Sequence, residues 1–220
     1  HHIPQLFLAS GANALGDPAK FPWTMHFNPS YRTEAQIYAK YILREKPTAK
    51  LAVLYEDDDQ GRDYLRGIKD VYGDKYDKMV VEASYATSDP TVDTQVITLQ
   101  GSGAQVFFMG ATARWSAQAI KKSSEIGWKA MRIVDLNSTS IAGTLRPAGL
   151  DNSIGLITAA AYKDQTSPQW KDDPDLAAWN KFLDKYMPTV DRKDGGILYG
   201  YSVAQTIVQV AGRAGREQTQ

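Results

Sequence analysis

Residues 51–58 read LAVLYEDD and residues 105–111 read QVFFMGA. Neither run alternates apolar with polar residues, so strands built from them must be covered on both faces, as in a parallel sheet flanked by helices. Their β-branched and aromatic content favours strand over a short buried helix. Three further runs read as strands on the same β-branched and aromatic content: MVVEASY (79–85), MRIVDLN (131–137) and IGLITAAAY (154–162). Between the runs the apolar period becomes helical. Ala35, Tyr38, Ala39 and Ile42 form one face, Leu65, Ile68 and Val71 another, Val92, Val96 and Leu99 a third, and Ala113, Ala117 and Ile120 a fourth. This βαβαβαβ rhythm predicts an α/β fold with a doubly wound parallel sheet.

Beyond Tyr162 the rhythm breaks. KDQTSPQWKDDPD (163–175) is a polar connection, after which Asp173 is suited to cap a helix and Pro174 to open it. Leu176, Trp179, Leu183 and Tyr186 supply that helix's apolar face. A second polar loop, PTVDRKDGG (188–196), leads to a last helix with Tyr199, Val203, Ile207 and Val210 on one side.

The 220 residues are 43% hydrophobic, enough for a sizeable core. Lysine plus arginine and aspartate plus glutamate number 25 each, which leaves no basic footprint for nucleic acid. Cysteine is absent, excluding thiolate chemistry and disulfides. No stretch approaches the ~20 apolar residues of a membrane span, and no basic segment followed by an apolar one opens the chain. If the protein is exported, its signal peptide is not in this chain. His1 and His2 read as the stub of a purification tag.

Motifs that would carry catalysis are weak. His26 is the only other histidine and sits in TMHFN without a supporting signature. GSGAQV (101–106) precedes a strand instead of following one, so a phosphate would meet no helix N-terminus; it reads as a turn. An EF-hand with Gly61 at its sixth position needs glutamate at 67, where Gly67 stands. The acids Glu56 to Asp59 are better explained as a strand-end loop favouring the next helix N-terminus. Neither metal nor cofactor is expected. An enzyme would need a proton-transfer pair, for which Asp58, Asp59 and Arg114 are the charged candidates near strand ends.

Ligands of open α/β sheets bind outside the carboxyl ends of the strands. Those ends carry Ser10, Gly11, Ala12 and Asn13; Asp58, Asp59 and Gln60; Gly110, Ala111 and Thr112; and Asn137 with Ser138. They are mostly small or hydrogen-bonding residues, suited to a binding cleft, although small residues also serve tight strand-to-helix turns.

PQLFLASGA, FPWTMHFNPSYRTEAQIYAKYIL, KLAVLYEDDDQGRDYLRGIKD, DPTVDTQVITLQGSGAQVFF, AQAIKKSSEIGW, LRPAGLDNSIGLITAAAYKD, PQWKDDPDLAAWNKF and YGYSVAQTIVQV follow one another here. In that order they resemble the periplasmic substrate-binding proteins of branched-chain amino acid type ABC transporters, the type I solute-binding family. The resemblance implies two αβ lobes that close on a small ligand. It assigns residues 1–27 to the end of lobe one and a first crossover, 28–154 to lobe two, and 155–220 to a return crossover and lobe-one helices. Members are longer, so the chain resembles a fragment with one lobe near complete and the other partial. Such a fragment is expected to bind weakly, and to self-associate through exposed lobe-one surface.

By the same resemblance, Ser10 to Asn13 would bind a ligand carboxylate. Gln60 stands where an aromatic residue often covers the ligand, and Gly110 to Thr112 would line the opposite wall. The loop matching Leu136, Asn137 and Ser138 would supply an acid for a ligand ammonium, but contains none. Asp135 is one position away and is expected on the opposite face of its strand. The implied ligand therefore keeps a carboxylate and lacks an α-ammonium, with aromatic acids favoured over branched-chain amino acids. Tyr162 on the return crossover is a further candidate for the cleft, as are Tyr199 and Tyr201. The implied function is extracytoplasmic, in the periplasm: capture of a small carboxylate and delivery to ABC permease subunits. The alternative is a ligand-sensing effector domain of a receptor or regulator with the same fold.

Overall fold

The computed structural model describes residues 3–217. His1 and His2, read above as a tag stub, lie outside the described residues. Strand β1 (Gln5–Leu8) pairs in parallel with β2 (Thr24–His26) in a two-stranded sheet. Helix α1 (Tyr31–Glu45) follows, capped by the Ser30 hydroxyl, which accepts from the Thr33 N–H. The main unit then runs β3 (Leu51–Glu56), α2 (Asp59–Tyr72), the short α3 (Tyr76–Met79), β4 (Val80–Tyr85), α4 (Asp93–Gly101), β5 (Val106–Gly110), α5 (Ala113–Glu125) and β6 (Met131–Val134). A π-helical turn at Ile141–Leu145 leads into the short α6 (Arg146–Ala148), and α7 (Pro174–Tyr186) and α8 (Gly195–Glu217) complete the chain.

The four strands of the main sheet are parallel and ordered β4-β3-β5-β6. Alternate residues of the two central strands point to opposite faces. Leu51, Val53, Val106 and Phe108 pack with Ala35, Tyr38, Ala39 and Ile42 of α1 and with Tyr64 and Ile68 of α2. Ala52, Leu54, Phe107 and Met109 pack on the other face with Val96 and Leu99 of α4 and with Trp115, Ala117 and Ile120 of α5. The doubly wound parallel sheet expected from the sequence is present. β3 connects through α2 to one side and its other neighbour, β5, arrives through α4, so a crevice opens at the carboxyl ends of β3 and β5.

The run 154–162 is not a strand. Ile157 makes a single parallel bridge to Ile133: the Val134 N–H donates to the Ile157 carbonyl and the Ile157 N–H to the Arg132 carbonyl, both at 3.0 Å. Two constraints end the pairing. Gly155 has φ +79°, outside extended backbone, and the Ala159 N–H donates to the Tyr38 hydroxyl at 3.1 Å, drawing the chain toward α1. MRIVDLN is likewise shorter as a strand, ending at Val134, before a 3₁₀ turn at Leu136–Ser138. The capping by Asp173 is as expected, its carboxylate accepting from the Asp175 and Leu176 N–H groups, and of the expected apolar face of α7 Leu176, Trp179 and Leu183 are buried together while Tyr186, at the last turn, is exposed.

Helices α1 and α2 approach so closely at Gly67 that a Cβ there would lie 2.3 Å from the Arg32 carbonyl oxygen and 2.7 Å from the Ala35 Cβ. The obstacle is backbone, which cannot swing aside. Gly67→Ala is expected to destabilise the fold by about 1–3 kcal/mol through overpacking, read as a lower urea midpoint at unchanged slope.

Candidate functional site

At the crevice, most of the expected strand-end residues bond to one another. Thr112 donates through its hydroxyl to Glu56 Oε2 at 3.0 Å and through its N–H to the Tyr85 hydroxyl at 3.1 Å. The Ala111 carbonyl accepts from the Ser138 hydroxyl at 2.6 Å and the Ser116 hydroxyl at 2.7 Å. At Gly110 a Cβ would lie 2.7 Å from the Tyr64 ring. Asp58 caps α2 through the Gly61 N–H, Asp59 is exposed near Arg62, and Gln60 is buried, its Nε2 donating to Asp135 Oδ2 at 3.2 Å. These side chains build the wall of the crevice; their polar groups are largely spent on holding it.

The Ser10–Asn13 segment is also tied inward in part. The Ala12 N–H donates to the Ser10 Oγ at 3.2 Å, and the Asn13 N–H to the buried Asp63 carboxylate at 2.7 Å. A Cβ at Gly11 would lie 2.1 Å from the Pro29 carbonyl oxygen, so this position is set by close backbone approach.

A cavity of about 300 Å³ opens beside this wall, between the β6 loop, the chain leaving β2, the 158–166 segment and the start of α8. Of the expected residues, Asn137 and Tyr162 line it, together with Tyr199 and with Ala9 next to Ser10. Ser10 to Asn13, Asp59, Gln60, Gly110 to Thr112 and Ser138 do not. Its aromatic side is built on Phe27, which stacks on Tyr162 (centroids 6.2 Å apart, 14° between planes) and meets Tyr199 edge-on at 5.6 Å. Its polar side contains a relay: the Tyr162 hydroxyl donates to Asn28 Oδ1 at 2.8 Å, and Asn28 Nδ2 donates to Asn137 Oδ1 at 3.1 Å. Burial pushes the Tyr162 hydroxyl up to about 12, so at neutral pH it holds its proton and can donate. Asn28 was not singled out from the sequence, and nothing in FNPS sets this asparagine apart before the chain folds.

Charge at the cavity comes from three side chains. Lys163 is held by Asp173 at 2.6 Å and Asp175 at 3.1 Å, while Lys193 stands on the rim. Asp164 also lines the cavity, with its Oδ1 accepting from both the N–H and the hydroxyl of Thr166.

Behind the Leu136–Asn137 loop lie two buried acids. Glu34 accepts from the Tyr38 hydroxyl, the Tyr64 hydroxyl and the Leu136 N–H at 2.9, 3.1 and 2.7 Å. Asp135 is fully buried; Gln60 serves its Oδ2, and its Oδ1 has no hydrogen-bond partner. Burial raises both carboxyls above their ordinary values, and for Asp135 the Glu34 charge raises it further. The Asp135 carboxyl, fully buried and facing the Glu34 charge, is held protonated to higher pH than an ordinary aspartate. It faces the interior, away from the cavity.

Over its whole length, residues 1–220, the sequence matches the periplasmic binding protein family. The chain belongs to this family. Solved structures agree in fold: a substrate-binding periplasmic protein from Ralstonia solanacearum superposes with TM-score 0.81 at 22% identity, covering 96% of this chain and 57% of that one. A branched-chain amino acid ABC transporter protein from Thermus thermophilus with bound valine gives TM-score 0.81 at 17% identity, covering 100% and 56%. A fatty acid ABC transporter substrate-binding protein from Thermomonospora curvata gives 0.66 at 19%, covering 83% and 46%. The chain therefore spans about half the length of these solved relatives. No curated protein matches it in sequence. Family membership carries the type I periplasmic-binding fold, and among the described residues no helix is long and apolar enough to cross a membrane and no cluster of three metal-ligating side chains occurs.

The unfolded chain releases the Asp135 proton near the ordinary 3.8, whereas the native chain holds it to higher pH. The native state thus binds more protons across that window, and stability falls as pH rises through it. Asp135→Asn should flatten the decline in stability above pH 3.8, measured as unfolding midpoints in denaturant between acid and neutral pH; an equal slope in both proteins contradicts this assignment.

Proposed function

We propose that this chain is the ligand-capturing part of a periplasmic solute-binding protein that takes a small carboxylate, preferably an aromatic acid, and delivers it to an ABC permease. The observation that carries the proposal is the composition of the cavity: an aromatic wall of Tyr162 and Tyr199 faces Asn137, and Lys193 stands on the rim. The acid nearest the Asn137 loop, Asp135, is buried behind it and is not placed to pair with an α-ammonium, and the Asp164 carboxylate that lines the cavity already accepts through Oδ1 from the Thr166 N–H and hydroxyl. An unpaired buried ammonium is costly. In this reading Asn137 holds the carboxylate and Tyr162 and Tyr199 flank the ring, while Ser10, next to the lining Ala9, accepts from the Ala12 N–H. Residues 28–154 act as lobe two, with the flanking segments belonging to lobe one and the crossovers. Ligand contact with both sides favours the closed state only by its differential affinity.

The Thermus relative holds valine, so leucine is the informative competitor, and Asp164 is the carboxylate lining the cavity that an ammonium could seek. Calorimetric titration of the chain should give binding of 4-hydroxybenzoate at least about tenfold tighter than leucine, a gap of roughly 1.4 kcal/mol. Tight leucine binding with no uptake of the aromatic acid overturns the proposal.

Self-association belongs to the same reading. Ile3, Leu6, Phe21 and Met25 around the open two-stranded sheet, and Ile207, Val208 and Val210 along α8, are exposed. Sedimentation velocity is expected to show concentration-dependent association, with Val208→Glu shifting the chain toward monomer; a monomer at all concentrations counts against it.

A further inference from the structure

Asn28 is about as buried as a core residue, at 7% exposure, yet it touches the cavity and joins three segments that are far apart in sequence. A primary amide has one acceptor end and one donor end. In Asn28 the acceptor end receives the Tyr162 hydroxyl and the donor end meets Asn137 Oδ1. Each partner constrains the next. Tyr162 is held as a ring by Phe27 and Tyr199, so its hydroxyl arrives at a fixed point. Asn137 is exposed, and a free amide there would present either end to a ligand with similar ease.

We propose that Asn28 is a positioning residue that makes the cavity selective for hydrogen-bond acceptors: by occupying Asn137 Oδ1 it turns the Asn137 Nδ2 donors toward the ligand. This deepens the proposed function and rests on the ligand occupying this cavity. A carboxylate or carbonyl meets the N–H donors of Asn137 Nδ2, whereas a ligand donor is left the second lone pair of an oxygen turned toward Asn28. Selectivity of this kind comes from the group left unpaired when the wrong ligand enters. The same residue also fastens the chain leaving β2 to the β6 loop, so a loss of packing has to be separated from a loss of orientation.

A double-mutant cycle makes that separation. The probe is 4-hydroxybenzoate, titrated into the 220-residue chain and its Asn28→Ala, Asn137→Ala and doubly substituted forms, with circular dichroism as the folding check. Asn28→Ala is expected to weaken binding about tenfold and to have little further effect once Asn137 is alanine. Tyr162→Phe keeps the stacked ring and removes only the hydroxyl; it should give a smaller loss that likewise vanishes in the Asn137→Ala background, and it serves if Asn28→Ala folds poorly. Equal losses in both backgrounds overturn the positioning role. The direction of the relay is read independently of any ligand by through-hydrogen-bond scalar coupling in the isotope-labelled chain. Coupling from Asn28 Nδ2 to Asn137 Cγ is expected, and coupling from Asn137 Nδ2 to Asn28 Cγ overturns the proposal. If the unsubstituted chain takes up no 4-hydroxybenzoate, the ligand reading falls and the selection step with it, while the coupling still reports whether Asn28 holds the amide.

Discussion

Everything in this molecule follows from the burial of β3 and β5 on both faces. Leu51 to Leu54 and Val106 to Gly110 are enclosed without interruption, so each strand needs a helical layer above and below. Parallel pairing supplies them, because every return to the same edge of the sheet must cross over it, and the crossover is where a helix fits. The strand order β4-β3-β5-β6 then leaves adjacent crossovers departing in opposite directions at the β3–β5 pair. The crevice is a by-product of covering hydrophobic strands.

Polar groups at the carboxyl ends of those strands divide into two sets. One set is structural: Glu56, Tyr85 and Thr112 bind each other, Asn13 leans on Asp63, and Ser138 closes on Ala111. The other set, Asn28, Asn137, Tyr162 and Tyr199, lines the open cavity. Glu34 connects the two. Buried in α1, it receives the Leu136 N–H and so anchors the loop that carries Asn137. Beside it the Asp135 carboxyl is raised by burial and by the Glu34 charge, because two ionised carboxylates sharing one apolar site would repel each other.

The helical faces of the main unit were legible in the sequence because their partners are local in period: Ala35, Tyr38, Ala39 and Ile42 are buried as their spacing implies, and so are Val92, Val96 and Leu99, whereas Tyr186 of α7 and Ile207 and Val210 of α8 are exposed. The IGLITAAAY run misleads for an equally physical cause. Its composition suits a strand, but extended pairing requires a neighbour along its length, and after Ile157 the Tyr38 hydroxyl competes successfully for the backbone. Strand-end position likewise marks a crevice without distinguishing residues that face a ligand from residues that hold the wall. Gln60 and Thr112 look like ligand residues in sequence, yet their hydrogen bonds run to Asp135, Glu56 and Tyr85.

Local pattern alone determined the class of fold, the parallel sense of the main sheet and the periods of its helices, since continuous apolar runs and 3.6-residue spacing are properties of neighbouring residues. The tertiary structure decided which polar groups remain free. Asn28, Asn137 and Tyr162 lie 109 to 134 positions apart along the contacts that join them, and no spacing rule links such residues. Their juxtaposition exists only once the chain leaving β2, the loop after β6 and the returning segment have been brought to one end of the sheet, where an amide with two fixed partners can set the chemistry of the third.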